Sequence, residues 1–325
     1  MRASEAEAGL PLPDGRTLAA DKAAGRLQLW LSSEPIASFA RSSDGPRTVL
    51  ASSRPPDSPL ALWAASYWLF AREAACEEIV WELPQASPAA LETGLLMPES
   101  RGWRTRRERF WQLPWPWLIE SGAVGPEAGT SLPPKPSGEL YRRFDNRVGQ
   151  WISLRTLDPA LDLERFNRWQ NTPRVLQFWQ EGGTLEQHHD YLSRLAADPH
   201  TFPVIGCFDD EPFAYFEVYW AKEDRIAPFY AVSEHDRGIH MLVGEEHHRG
   251  PHKVTSWLSA LVHYAFLANS RTQTLVSEPR HDNARMIRYM EQVGFHRMKD
   301  FDFPHKRAAL MMLTRDYFFN NSTLM

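Results

Sequence analysis

The stretch on which the fold turns is Asp236-Arg-Gly-Ile-His-Met-Leu-Val243, then Gly244-Glu-Glu-His-His-Arg-Gly-Pro-His-Lys253, then Val254-Thr-Ser-Trp-Leu-Ser-Ala-Leu-Val-His-Tyr-Ala265. Ile239–Val243 is an apolar run carrying one histidine and reads as a strand. Val254, Trp257, Leu258, Leu261 and Ala265 recur at i, i+3, i+4 and i+7 spacing, which predicts an amphipathic helix. A strand, a glycine-bearing turn and a helix start put backbone N–H groups and the positive helix end around an anion. Pro251 in the first helical turn loses no needed hydrogen bond. Taken alone, an Arg-Gly-x-x-Lys loop fits an ordinary strand-to-helix turn as well.

Working outward, Leu161, Leu163, Phe166 and Trp169 predict a helix that Pro173 interrupts. A short helix through Val175, Phe178 and Trp179 follows. Thr184 with Gln187 makes a capping box opening a helix through Tyr191, Leu192 and Leu195. Strands are expected at 202–208, 213–220 and 239–243. Alternation on the second puts Tyr215, Glu217 and Tyr219 on one face and Ala214, Phe216, Val218 and Trp220 on the other. Beyond the helix that starts near Pro251 come a strand at 272–277, a helix from Asn283 to Val293 ending at Gly294, and closing strands near 297–303 and 308–314. That order predicts an α/β fold, a mixed twisted sheet flanked by helices.

The first half echoes this pattern. A strand at 47–52, a helix from Pro59 to about Glu78, a strand at 79–83, a helix at 87–96 and a strand near 107–113 are expected. Val49 and Val80 are spaced almost as Val243 and Val276 are, and Gly102-Trp103 answers Gly294-Phe295. Strand–helix–strand units are common, so a chance echo weighs equally. If the echo is a repeat, the first copy is non-catalytic: its turn at 52–59 has no glycine, and all 12 histidines lie at or after His188. The Gly/Pro/Ser-rich stretch 122–138 reads as a linker. The expected division is therefore a smaller α/β domain at 1–121, the linker at 122–138 and a catalytic domain at 139–325.

Composition narrows the function classes. In 325 residues, 43% are hydrophobic and 24% charged, ordinary for a globular chain, which excludes global disorder. A net charge of −5 argues against a binder of nucleic acid, which wants a basic face. No apolar run approaches the roughly 20 residues that span a bilayer. The first residues carry neither a basic nor an apolar signal region. Cys76 and Cys207 make no metal or disulfide pattern. A cytoplasmic protein with reduced thiols is expected.

Three groups could carry chemistry. His240 sits mid-strand among apolar residues, where an imidazole costs desolvation unless hydrogen-bonded; a satisfied core histidine is the plain alternative. Glu278 ends the next strand, and adjacent parallel strands would aim both groups into one crevice at their C-terminal ends. A helix N-terminal carboxylate explains Glu278 as well. The loop at 249–253 is the third. His235, His240, His247, His248 and His252 match no familiar ligand spacing, so no metal is expected.

With these features in order, a resemblance emerges. Asp236-Arg-Gly-Ile-His240, Arg249-Gly250, Glu278-Pro-Arg-His-Asp-Asn283 and Gly294-Phe295 resemble the acyl-CoA-binding core of the GNAT acyltransferase superfamily. Phe166-Asn-Arg-Trp169, Asn171-Thr-Pro-Arg-Val175, Pro203-Val-Ile-Gly-Cys-Phe-Asp-Asp210, Phe216-Glu-Val-Tyr-Trp220, Ala221-Lys-Glu-Asp-Arg-Ile226, Arg271-Thr-Gln273 and Phe301-Asp-Phe-Pro-His-Lys-Arg307 narrow it. They look like siderophore hydroxamate acyltransferases, above all the aerobactin-type N-epsilon-hydroxylysine acetyltransferases. The resemblance is dense from about Gly138 to Phe319 and thins earlier, although Phe110-Trp-Gln-Leu-Pro114 also matches. It departs from the family in two places. His252 stands where the loop's last glycine or alanine is usual, and Met290 stands where many GNAT enzymes carry a tyrosine acid. Tyr289, one residue out of register, is expected to point about 100° away.

The resemblance implies a GNAT fold in the C-terminal half, preceded by a degenerate GNAT-like domain. It implies acetyl-CoA as donor and a small hydroxylamine, N-epsilon-hydroxylysine, as acceptor, with no nucleic-acid or membrane partner and with contacts to other siderophore-pathway enzymes. His240 is then the catalytic proton acceptor and Glu278 its partner. Met241, Leu242, Val243, Arg249, Gly250, Pro251, His252, Lys253 and Asn283 are expected to bind the donor. Arg174, Glu217, Tyr219, Trp220, Lys306 and Arg307 are expected to bind the acceptor, with Tyr219 and Trp220 walling the acyl pocket. The alternatives are acetyl or succinyl transfer to an N-hydroxylated diamine, or a non-catalytic acyl-CoA-binding protein.

Overall fold

In the first unit, Met1–Pro116, Leu18, Leu27, Leu29, Leu31 and Phe39 are buried on alternate positions of an edge-exposed meander. The computed structural model describes residues 9–56, 58–100, 102–119, 132–321 and 324. Strands β1 (Leu10–Pro11), β2 (Thr17–Ala23), β3 (Arg26–Leu31), β4 (Glu34–Asp44) and β5 (Arg47–Ala51) pair antiparallel. Helix α1 (Pro59–Arg72) crosses to β6 (Glu78–Glu82), parallel to β5. Helix α2 (Pro88–Glu92), β7 (Met97–Pro98), β8 (Trp103–Arg106) and the short α3 (Arg107–Phe110) complete the unit.

Three expected bounds move. Helix α1 stops at Arg72 rather than Glu78, because Glu78 is already paired with Arg47 in the sheet. The helix expected at 87–96 is the short α2, after which Leu95 and Leu96 turn into the core. The strand expected near 107–113 lies instead at β8. Arg107 leaves the sheet, and its guanidinium caps the C-terminal carbonyls of α1, donating to Phe70 O at 2.6 Å and Glu73 O at 2.5 Å.

The second unit spans Trp117–Leu324. It begins earlier than the expected 139, because Leu118 bridges Tyr141 and Arg142 N–H donates to Trp117 O. Residues 122–131 of the expected linker, with 120 and 121 before it, lie outside the described residues. The hairpin β9 (Glu139–Asp145) and β10 (Gln150–Thr156) was not expected. Helices α4 (Pro159–Gln170), α5 (Pro173–Trp179) and α6 (Leu185–Ala197) follow, the last opening on the expected capping box of Thr184 and Gln187. Strands β11 (Thr201–Phe208), β12 (Glu211–Trp220) and β13 (Arg237–Val243) are antiparallel. Helix α7 (Pro251–Leu267) leads to β14 (Thr274–Ser277), and α8 (Ala284–Val293) to β15 (His296–Asp302), β16 (Arg307–Thr314) and α9 (Arg315–Asn321).

Packing fixes two layers around this sheet. Trp257, Leu258, Leu261 and Ala265 of α7 are fully buried, and Trp257 stacks on Phe216 at 5.2 Å between ring centres. On the opposite face, Phe166, Trp169, Val175 and Leu192 from α4 to α6 pack with Ile205, Tyr215 and Leu242. Truncating a buried tryptophan such as Trp257 to alanine costs about 3–5 kcal/mol.

The two units repeat one strand order. The first reads β1-β2-β3-β4-β5-β6-β8-β7, and the second, taken from β9, reads β9-β10-β11-β12-β13-β14-β16-β15. In each, one parallel seam follows five antiparallel strands. The seams differ. β5 and β6 pair from Arg47↔Glu78 to Ala51↔Glu82, Val49 facing Val80. β13 and β14 pair only at Arg237↔Leu275 and Gly238↔Val276, so Val243 and Val276 are not partners. Past that point β13 and β14 part, and the gap is where the candidate site lies.

Candidate active site

The β12–β13 register sets Glu217 directly opposite His240. The Glu217 carboxylate lies 2.7 Å from His240 Nδ1 and the Glu278 carboxylate 2.5 Å from His240 Nε2. Tyr191 and Tyr215 hydroxyls donate to Glu217 Oε1 at 2.5 and 2.8 Å, and the Tyr219 hydroxyl donates to Glu278 Oε2 at 2.8 Å. The result is an imidazole between two buried carboxylates, each held by phenol donors.

Electrostatics follow from that arrangement. Burial pushes the His240 imidazole down, but the Glu278 charge and the hydrogen bonds to Glu217 and Glu278 outweigh it and raise it to about 10. Burial raises Glu278, yet the charge and hydrogen bond of His240, with Lys306 and Tyr219, hold it well below the usual carboxylate range. Glu217 is likewise lowered: burial opposes, and the His240 hydrogen bond and charge prevail. Burial and the adjacent carboxylates push Tyr215 and Tyr219 far up, so both stay protonated donors. These shifts all favour the ionised line Glu217⁻, His240⁺, Glu278⁻ at neutral pH.

This line opens into a cleft of about 500 Å³. Phe178, Trp179 and Tyr191 form its apolar wall. Lys306 Nζ donates to Glu278 O at 2.7 Å and stands 3.9 Å from Glu278 Oε1; Arg225 Nη2 stands 3.9 Å from the same oxygen. Glu181 lines the cleft too, its carboxylate raised by burial and by the Glu217 charge.

A second cleft, of about 790 Å³, adjoins the first and shares Phe178, Trp179, Met241, Asn283 and Met286 with it. It runs along Met241, Leu242 and Val243 to Arg249, Gly250 and Pro251 at the start of α7. Gly250 has φ +128, which an L side chain rarely adopts. On the parted side of β13, side chains take the carbonyls: Ser277 Oγ donates to Ile239 O at 2.8 Å and Trp179 Nε1 to Met241 O at 3.2 Å. Arg174 and Arg249 both line this cleft, and burial followed by the Arg249 charge lowers Arg174. A long anionic ligand fits such a groove.

The structure brings together most of the expected donor residues and divides the rest. Met241, Leu242, Val243, Arg249, Gly250, Pro251 and Asn283 line the second cleft. The side chain of Lys253 turns away, donating to His248 Nδ1 at 2.8 Å and lying over Phe208, and His252 is not among the lining residues. Arg174 belongs to this cleft and not to the acceptor side where it was expected. Tyr289, expected to point away, lines the cleft, while Met290 is core.

On the acceptor side, Glu217 and Lys306 line the first cleft, but the Glu217 oxygens are occupied by His240, Tyr191 and Tyr215. Tyr219 lies buried beneath His240, bonded to Glu278, and strand alternation turns Trp220 to the other face under the Arg237 guanidinium, so neither lines a cleft. Arg307 is exposed at the start of β16 and lines neither. Arg225, Glu181 and Tyr191 were missed. The first two lie outside the helices and strands, where no period marks a face.

Of the five histidines weighed for a metal, His247 and His248 come together with Glu211, the ligand atoms within 4.8 Å among the described residues. Metal-bound histidine normally donates its other ring N–H to an acceptor, whereas His248 meets the Lys253 ammonium there.

The profile described as an acetyltransferase (GNAT) domain matches residues 158–303. An N(6)-hydroxylysine O-acetyltransferase of Escherichia coli is 47% identical over 223 residues, 66% of this chain and 70% of that protein. The chain belongs to the GNAT acyltransferase family. A putative lysine N-acyltransferase of Schizosaccharomyces pombe is also 47% identical, over 224 residues that make up 66% of this chain and 66% of that protein. Among solved structures, an uncharacterized protein from Bacillus halodurans superposes with a TM-score of 0.54 at 29% identity, covering 56% of this chain and 93% of that one. The matched segment lies within the second unit and holds His240, Glu278 and most of the residues that line both clefts.

Proposed function

We propose that this GNAT acyltransferase moves the acetyl group of acetyl-CoA to the hydroxylamine nitrogen of N-epsilon-hydroxylysine, forming a hydroxamate for an aerobactin-type siderophore. One observation carries the reading: the Glu217–His240–Glu278 line stands where two clefts meet, beside the parted seam of β13 and β14. The acetyl donor lies in the larger cleft, its pyrophosphate at residues 249–253 with Arg174 and Arg249, and its acyl end along Met241–Val243. The hydroxylysine enters the smaller one. Use of acetyl-CoA is also the ground for a cytoplasmic location.

The chemistry needs little beyond position. A hydroxylamine is neutral near pH 7, so its nitrogen attacks the thioester carbonyl without prior deprotonation. As the N–C bond forms, that nitrogen becomes acidic, and Glu278 takes its proton. Both ring nitrogens of His240 are already partnered, so the acceptor role expected of His240 passes to the carboxylate. His240 steadies the line by its charge. When the C–S bond breaks, the thiolate leaves with one proton, for which the Tyr289 hydroxyl in the donor cleft is the proposed source.

A succinyl donor is the second reading, favoured by the cations Arg225 and Lys306 beside Glu278, which an anionic acyl end would meet. The test mixes purified protein with acetyl-CoA and N-epsilon-hydroxylysine and follows thiol release together with the coloured iron(III) complex of a hydroxamate. Parallel reactions use hydroxycadaverine, succinyl-CoA and lysine. Thiol release with colour, fastest for acetyl-CoA and hydroxylysine, is expected. Release without colour means that the acyl group goes to oxygen, another amine or water, and overturns N-acylation of the hydroxylamine, while no release with any pair overturns acyl transfer altogether.

A further inference from the structure

We infer that this site chooses its acceptor by charge state, taking a neutral N-hydroxyamine and refusing a primary ammonium, and that Glu217 is the positioning residue that sets the choice. The inference rests on the acyl-transfer reading above and concerns the same site.

Both imidazole nitrogens of His240 face carboxylates, at 2.7 Å and 2.5 Å. Phenol hydrogen bonds to a carboxylate's second oxygen favour its ionised form, in which the oxygen facing the ring can only accept. Glu217 accepts from Tyr191 and Tyr215, and Glu278 accepts from Tyr219. Both ring nitrogens therefore carry the protons of these contacts, and neither has a lone pair for a substrate. The charged and titratable groups around the ring are Glu217, Tyr215 and Tyr219 from β12, Glu278 after β14, and Tyr191 from α6. Behind them stand Arg225 and Lys306, on Glu278, and Glu181, acting on Glu217. Attraction to the two carboxylates keeps the ring protonated through the neutral range.

The consequence differs for two acceptors that vary by one oxygen. An alkylammonium, with a pKa of about 10.4, must lose a proton before it attacks. Here it meets no free basic nitrogen to take that proton. An N-hydroxyamine arrives neutral and sheds its proton only after the N–C bond has formed, when Glu278 suffices. A single carboxylate partner would leave Nδ1 of His240 free to work as a base. The second carboxylate, from Glu217, removes that option.

The experiment measures kcat/KM for N-epsilon-hydroxylysine and for lysine with acetyl-CoA between pH 6.5 and 9.5, in the wild type and in Glu217→Gln. Nuclear magnetic resonance of isotope-labelled histidine reads the ring protonation of His240 in both. For the wild type, a preference for hydroxylysine of about 10³-fold or more at pH 7.5 is expected, from the scarce neutral amine and the missing base. Lysine turnover should climb about tenfold per pH unit, following the free amine, with the ring doubly protonated throughout the neutral range. In Glu217→Gln the ring should titrate near neutrality and the preference at pH 7.5 should shrink at least tenfold. A singly protonated wild-type ring at pH 7.5 overturns the inference, as does an unchanged preference in a Glu217→Gln protein whose ring titrates normally. Equal use of both acceptors by the wild type leaves acyl transfer standing and overturns the inference alone. Turnover of neither acceptor overturns the acyl-transfer reading itself and the selectivity with it.

Discussion

Gly238 and Val276 are the last Cα partners on the parallel seam between β13 and β14, and His240 lies just past them. Where the seam holds, the backbone groups of β13 face another strand. Where it parts, Ser277 and Trp179 take the carbonyls of Ile239 and Met241, and the clefts open. The first unit shows the closed version of the same arrangement, with Val49 and Val80 still paired at mid-strand. One strand order thus gives an unbroken parallel seam in the first unit and a parted one in the second.

Gly238 tests that geometry. A Cβ there would stand 1.9 Å from Tyr219 Cζ and 2.4 Å from its hydroxyl oxygen. Gly238→Ala must push the phenol aside, and that phenol holds Glu278. Overpacking of this kind costs about 1–3 kcal/mol. The expected outcome is a melting temperature lower by several degrees and a kcat lower by about tenfold or more, read by calorimetry and by thiol release. A variant that melts lower but turns over normally would separate Tyr219 from the chemistry.

His240 is expected to matter through charge as well as position. His240→Asn should lower kcat/KM by about 10²- to 10³-fold, as expected for loss of a preorganised charge. Binding of CoA, measured by calorimetry, should change little, because the cleft proposed for the donor is lined by Met241–Val243 and the 249–251 turn and not by His240. Unchanged turnover would remove His240 from the mechanism.

The parts of this molecule that were legible in the sequence are those with a local signature. The Thr184–Gln187 box, the 251–267 helix opening after Gly250 and the glycine stop at 294 each need only a few neighbouring residues to declare themselves. β2 to β4 were missed because Ala, Ser and charged residues fill their open faces, leaving isolated Leu27, Leu29 and Phe39 as the apolar signal. The β9–β10 hairpin hid behind Arg143 and Asp145, which are buried as an ion pair where alternation predicts apolar side chains. In the site, His240 and Glu278 were readable from their strands. The role of Glu217 was not, since it depends on the β12–β13 register, which couples residues 23 apart. Arg174 was put on the acceptor side because a lone arginine carries no mark of which cleft it faces.

Arg174 and Arg249 give the test of the donor cleft. A charged hydrogen bond contributes about 1.5–3 kcal/mol. Arg174→Gln and Arg249→Gln are each expected to raise the KM for acetyl-CoA by roughly tenfold or more, with the KM for the acceptor unchanged. Steady-state kinetics with each substrate varied in turn make the distinction. An acceptor KM that rises in Arg174→Gln while the donor KM holds would return Arg174 to carboxylate recognition.

Stability against pH carries the signature of the Glu217–His240–Glu278 line. His240 is raised to about 10 in the fold, above its unfolded value of about 6.5. Its contribution, of the order of a few kcal/mol, is full below about pH 6.5, declines above it and is lost as pH rises through about 10. Glu217 and Glu278 are lowered, so their contribution is present above the ordinary carboxylate range and lost only as pH falls through their depressed values. The wild type should therefore hold a plateau near pH 5–6.5 and lose melting temperature steadily toward pH 10. In His240→Asn the cation is gone, and burial leaves two carboxylates that favour protonation in the fold. That variant should melt lower at pH 7, lack the decline between pH 7 and 10, and gain stability as pH falls from 7 to 5, where the wild type does not. Parallel profiles in the two proteins would mean that the imidazole does not bear the charge assigned to it.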